Sequence, residues 1–155
     1  MRSLALVILG VLLLSSNAFA AGIDKTNSLT VENNPATNAW IATCDISVSG
    51  IEPNQVYSGV MLFYGLFGGG QTGSTIFSIS FQVDSTNTTS TETDPGIYNF
   101  KARLKGKSLN AQAVVRFSSL VGGDRLNCDS RLDRGLPGSP TTLFGSNMAA
   151  TVQQP

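Results

Sequence analysis

Between Tyr98 and Val115 the chain alternates apolar and polar residues on either side of Gly106-Lys107, and one pairing keeps that alternation intact. With Gly106-Lys107 as a two-residue turn, Leu104 lies opposite Leu109, Ala102 opposite Ala111, Phe100 opposite Ala113 and Tyr98 opposite Val115. These pairs share one face, while Arg103 with Asn110 and Lys101 with Gln112 occupy the other. Gly106 supplies the positive φ that a type II′ turn requires at its first central position. A slip of one residue would turn Lys101 and Arg103 inward, so turn chemistry and patterning specify the same register. The chain must therefore build around antiparallel strands.

Other segments repeat the two-residue period. Trp40 to Val48 puts Trp40, Ala42, Cys44, Ile46 and Val48 on one face and Thr43, Asp45 and Ser47 on the other, with Ile41 the exception, the pattern of a half-buried strand with Cys44 inward. Thr75 to Val83 aligns Phe77, Ile79, Phe81 and Val83, with Ser78, Ser80 and Gln82 opposite and only Ile76 out of step. Gln55 to Phe67 is largely apolar on both faces, as expected of a central strand covered on both sides. No segment of useful length follows a helical period. The fold class is all-β, an antiparallel β-sandwich over residues 39–134. An N-terminal extension over 21–38 precedes it, and a loosely ordered C-terminal tail over 135–155 follows it.

Asp94-Pro95-Gly96-Ile97-Tyr98 carries a D-x-G-x-Y pattern. It resembles the tyrosine corner of immunoglobulin-like sandwiches, in which the Tyr hydroxyl reaches back to upstream backbone. The resemblance favours a sandwich over a barrel. The sequence departs from antibody-type domains at position 100, which is Phe where the second Cys would stand.

The first residues address the compartment. Arg2 is followed by an almost unbroken apolar run from Leu4 to Leu14, and then by Ala18-Phe19-Ala20, with small residues where a signal peptidase reads. The expectation is a signal peptide over residues 1–20 and export to the periplasm or the extracellular medium. The apolar run is too short to span a bilayer, so no transmembrane anchor is expected. In an exported chain, the two cysteines Cys44 and Cys128 most simply form a structural disulfide.

Without Arg2 the chain carries 9 basic and 10 acidic residues, which gives no reason to expect a nucleic-acid partner. The charges are segregated. Thr26 to Phe100 contains six acids and no Lys or Arg, whereas Lys101 to Arg134 contains eight basic residues and three acids. Such asymmetry marks either an anionic partner for the second half or two halves that neutralise each other across a sheet.

A chain without His has no Ser-His-Asp triad, no Cys-His pair and no imidazole metal ligand. The patterns call for no cofactor, no metal and no catalytic residue. Asp124, Asp129 and Asp133 interleave with Arg125, Arg131 and Arg134, which reads as a salt-bridged surface loop rather than an acid–base pair or a calcium loop. Two candidate binding surfaces remain. Lys101, Arg103 and Lys105 share a strand face, with Lys107 in the adjoining turn and Arg116 on the same face. They suit an anionic envelope polymer or an acidic protein; the plainer alternative is that they solubilise the sheet and protect its edge. Phe67 precedes a glycine-rich stretch over residues 68–73, either as an exposed aromatic tip or as the end of a buried strand. The expected function is a non-catalytic binding module, with a structural or assembly subunit of the cell envelope as the alternative.

Overall fold

A computed structural model describes residues 22–68, 72–93, 98–135 and 141–153. The segment expected to be a signal peptide lies outside them, as do residues 94–97 of the D-x-G-x-Y pattern. The strands are β1 Asp24–Asn34, β2 Ala39–Ser49, β3 Tyr57–Phe67, β4 Thr72–Val83, β5 Thr88–Thr93, β6 Tyr98–Lys105, β7 Ser108–Phe117, β8 Arg125–Arg134 and β9 Thr141–Thr151. They form a five-stranded sheet ordered β1-β2-β7-β6-β5 and a four-stranded sheet ordered β4-β3-β8-β9. Every ladder is antiparallel.

The hairpin has the register read from the sequence, Leu104 with Leu109 through Tyr98 with Val115. Gly106 has φ +58°, and Asn38 is the one described non-glycine residue with a positive φ, so the turn fits type II′. Its inward residues Phe100, Ala102, Leu109, Ala111, Ala113 and Val115 meet Ala42, Cys44, Ile46 and Val48 of β2 and Met61, Phe63, Phe77 and Phe81 of the opposite sheet. The core is therefore made by the alternation itself, one face of each sheet turned inward. Phe81 tilts against Phe100 at 5.2 Å between ring centroids, and Phe63 stacks on Phe77 at 5.6 Å.

Cys44 of β2 and Cys128 of β8 are bonded across the two sheets, with Cα atoms 6.5 Å apart and both residues fully buried. The strand order is that of an immunoglobulin-like sandwich, with β1, β2, β7 and β6 in the places of strands A, B, E and D and β3, β8 and β9 in those of C, F and G. The bridge takes the B–F position. The residues just upstream of Tyr98, 94–97, are outside the described ones. Tyr98 itself opens β6 and stacks on Phe77 at 4.6 Å. Buried Tyr57 also reaches back, donating from its hydroxyl to the Glu52 carbonyl at 2.7 Å, and burial raises that hydroxyl above its ordinary pKa.

Three expectations are corrected. Residues 21–38, expected as an extension, contain β1, an edge strand whose inward positions include the polar residues Lys25 and Asn27, so its alternation is weak. Residues 135–155, expected as a loose tail, contain β9, paired along the whole of β8. A register shift beside Leu132 and Asp133 interrupts its period, and small residues dilute its apolar signal. Finally, β3 is central in its sheet but covered on one side alone. Tyr57, Gly59, Met61, Phe63 and Gly65 are buried, whereas Val60 is 41% exposed and Leu62, Tyr64 and Leu66 are half-buried on the outer face.

Candidate functional site

The outer face of the five-stranded sheet carries the basic residues of the hairpin. Alternation in β6 buries Phe100, Ala102 and Leu104 and sends Lys101, Arg103 and Lys105 outward. The ladders then decide what stands beside them. Lys101 pairs with Gln112 and Arg103 with Asn110 on β7. Gln112 in turn pairs with Asp45 on β2, and Asn110 with Ser47. Long cationic side chains beside short amides leave a shallow depression of about 250 Å³, lined by Asp45, Lys101, Arg103, Asn110 and Gln112.

The floor of this depression is held by side-chain hydrogen bonds. Gln112 Nε2 donates to Asp45 Oδ1 at 2.8 Å, and the Ser47 hydroxyl donates to Asn110 Oδ1 at 2.8 Å. The amide of Gln112 thus satisfies Asp45 without neutralising it. The ion pairs among the described residues are Arg131–Asp133 and Arg134–Glu52, so Lys101 and Arg103 have no described carboxylate within 4.0 Å. Two cations able to donate in several directions stand over fixed amide dipoles, with the Asp45 carboxylate two strands away on β2, so the β6 side of the depression is the part suited to holding an anion.

The remaining sequence candidates fall elsewhere. Lys105 lies opposite Ser108, one row further toward the turn, and Lys107 is exposed within that turn. Arg116 shares the face but lies opposite Ile41, four residues along β7 from Gln112, or about 14 Å. It does not join the depression. Phe67 is on the other sheet, where its ring folds over Gly65 and packs 6.4 Å from Phe117, so it is a half-buried core residue and not an exposed tip.

The expected salt-bridged loop of Asp124, Asp129 and Asp133 is mostly strand β8. Asp124, 4% exposed, accepts from the backbone N–H of Gly68 at 3.1 Å and of Val121 at 2.9 Å, tying two loops at one end of the sandwich. Asp129 accepts from Asn147 Nδ2. Only Asp133 pairs with a neighbouring arginine, Arg131 Nε at 2.9 Å. Among the described residues no group of three His, Cys, Asp or Glu side chains is placed to hold a metal ion, and no helix is long and apolar enough to cross a membrane.

Asp45, Asn110 and Gln112 are the site residues that sequence reasoning did not single out. Their polar alternation was visible, but the adjacency of β2 to β7 was not. No protein-family model matches the chain, and no curated protein or solved structure matches it. The immunoglobulin-like character therefore rests on strand order and the position of the bridge.

Proposed function

We propose that the protein is an exported, non-catalytic binding module that holds an anionic polymer of the cell envelope on the outer face of its five-stranded sheet. The observation that carries this reading is the depression in which Lys101 and Arg103 stand over Asn110 and Gln112 without an ion-pair partner among the described residues. Lys105 and Lys107 extend the row of charge toward the turn, so an extended chain of anions fits better than a single small ion. Export is supported by the leader-like start and by the buried disulfide, which persists in oxidising compartments. Assembly through strand edges has less in its favour, because the β1 edge carries an inward-facing Lys25 beside β9, a device that blunts edge pairing.

The test is binding to a panel of anionic envelope polymers across a salt series. The protein is compared with a Lys101→Glu, Arg103→Glu variant and with an Arg125→Glu control on the other sheet. Salt-sensitive binding lost in the double variant and kept in the control is the expected result, since screening shortens such attraction to about 10 Å at 0.1 M salt. Equal binding by all three proteins, or no binding by any, overturns the reading.

A further inference from the structure

The outer face of the four-stranded sheet has a different chemistry. Its middle column, on β3, is Val60, Leu62, Tyr64 and Leu66, and none of these reaches the core. On one side stand Ser80 and Ser78 of β4, opposite Val60 and Leu62. On the other side β8 presents Asp133, Arg131, Asp129 and Arg125, opposite Ser58, Val60, Leu62 and Leu66. Beyond β8, β9 places Gly145, Asn147 and Ala149 opposite Arg131, Asp129 and Asn127, with the Asn147 amide against Asp129. The face is thus an apolar stripe bordered by a column of charge that sums to zero and is interrupted by buried Asn127, opposite Tyr64.

We infer that a second copy of the same chain covers this face, packing sheet against sheet about a two-fold axis that crosses the strands between Val60 and Leu62. That rotation reverses the strand direction and keeps each column over its own kind. Val60 then faces Leu62 of the second copy, and Leu62 faces its Val60. In the charged column Arg131 faces Asp129 of the second copy, and the reverse, so one operation satisfies the apolar and the ionic columns together. An interface of this kind is isologous. A partner of single-signed charge would leave half of the β8 column opposed to its own sign.

The side chains are free to do this. Arg131 is 54% exposed; its Nε meets Asp133 and its Nη2 donates to the Thr142 hydroxyl at 2.9 Å, which leaves Nη1 for a carboxylate on the facing sheet. Asp129 accepts from Asn147 through Oδ1, leaving Oδ2. Four strands about 4.8 Å apart and nine residues at about 3.4 Å cover roughly 600 Å² per copy. Twice that, about 1,200 Å², lies at the lower limit of specific interfaces, so the dimer is a weak one that forms with concentration. It leaves the basic face of the other sheet outward on both copies.

Sedimentation across a concentration series tests this. The protein is expected to pass from monomer to dimer, and Leu62→Lys, an outward residue, is expected to weaken the dimer at least about tenfold while keeping the thermal unfolding midpoint. Asp129→Arg alone and Arg131→Asp alone are each expected to be monomeric, because like charges then face across the axis. An equimolar mixture of the two is expected to dimerise again, since each copy supplies the sign the other lacks. A protein that stays monomeric at millimolar concentration overturns the inference, as do single-charge variants that dimerise like the parent. So does a monomeric protein whose face instead binds phosphatidylcholine vesicles and loses them on Leu62→Lys.

Discussion

Opening the bridge between Cys44 and Cys128 releases a loop of 84 residues in the unfolded chain, and the loss can be worked from that separation. Loop-closure entropy for 84 residues amounts to roughly 4.6 kcal/mol at 25 °C in the chain-entropy treatment. Domains of this kind are stable by about 5–15 kcal/mol, so the bridge accounts for roughly three-tenths of the total or more. Two perturbations separate crosslink from packing. Reduction keeps both sulfur atoms in the core and removes only the constraint. Cys44→Ala with Cys128→Ala also deletes two buried sulfur atoms, each adding about 1 kcal/mol of lost burial. Urea unfolding of the oxidised, reduced and double-alanine proteins reads these quantities, with thiol counting by mass spectrometry to establish the redox state. The reduced protein is expected to lose about 4–5 kcal/mol with a larger m-value, because its denatured state expands further. The double variant is expected to lose about 2 kcal/mol more. A loss on reduction below about 1 kcal/mol, with the m-value unchanged, would refute the reasoning.

Two further outcomes follow from single sites. A Cβ at Gly59 would sit 2.3 Å from Phe81 Cζ and 2.8 Å from the Arg131 carbonyl oxygen, and the backbone atom cannot yield. Gly59→Ala is expected to cost about 1–3 kcal/mol in urea unfolding, whereas Gly145→Ala, with open space around its Cβ, stays within about 0.5 kcal/mol; equal stabilities would contradict this. At the turn into β5, the Asp84 carboxylate accepts from the Thr86 hydroxyl and from the backbone N–H groups of Thr86 and Asn87, which hold its pKa below the ordinary 3.8. A pKa depressed by folding stabilises the turn above the unfolded value and ceases to do so as the pH falls through the folded one. NMR titration of that carboxyl is expected to give a midpoint under 3.8, and a midpoint at or above it would rule the turn bonds out as the cause.

Legibility in the sequence tracked locality. Tyr98 to Val115 could be paired residue by residue because its turn lies within it, and the inward faces of β2 and β4 followed from an alternation broken at Ile41 and Ile76. Cys44 and Cys128 were joined by compartment logic and not by geometry. What failed needed to know a neighbour. An apolar column on both faces of β3 implies a cover only if a third layer exists, and Val60 to Leu66 has none among the described residues. Lys25 and Asn27 look like loop residues until the edge position of β1 explains why polar groups can face inward there. Arg116 obeyed the alternation and still fell outside the site, because sharing a face does not fix distance along it.

Lys25 lies over the Phe144 ring at 6.0 Å, and Asn27 bonds Ser146, so β1 and β9 advance side by side in the same direction. The beginning of β1 and the end of β9 therefore sit at opposite poles of the sandwich. A tether at each end would pull along the strands, and the backbone bonds of β1 to β2 and of β8 to β9 would have to shear as rows instead of opening one by one. Once they gave way, the crosslink would stop the extension, and only the residues outside the segment from Cys44 to Cys128 would lengthen under tension.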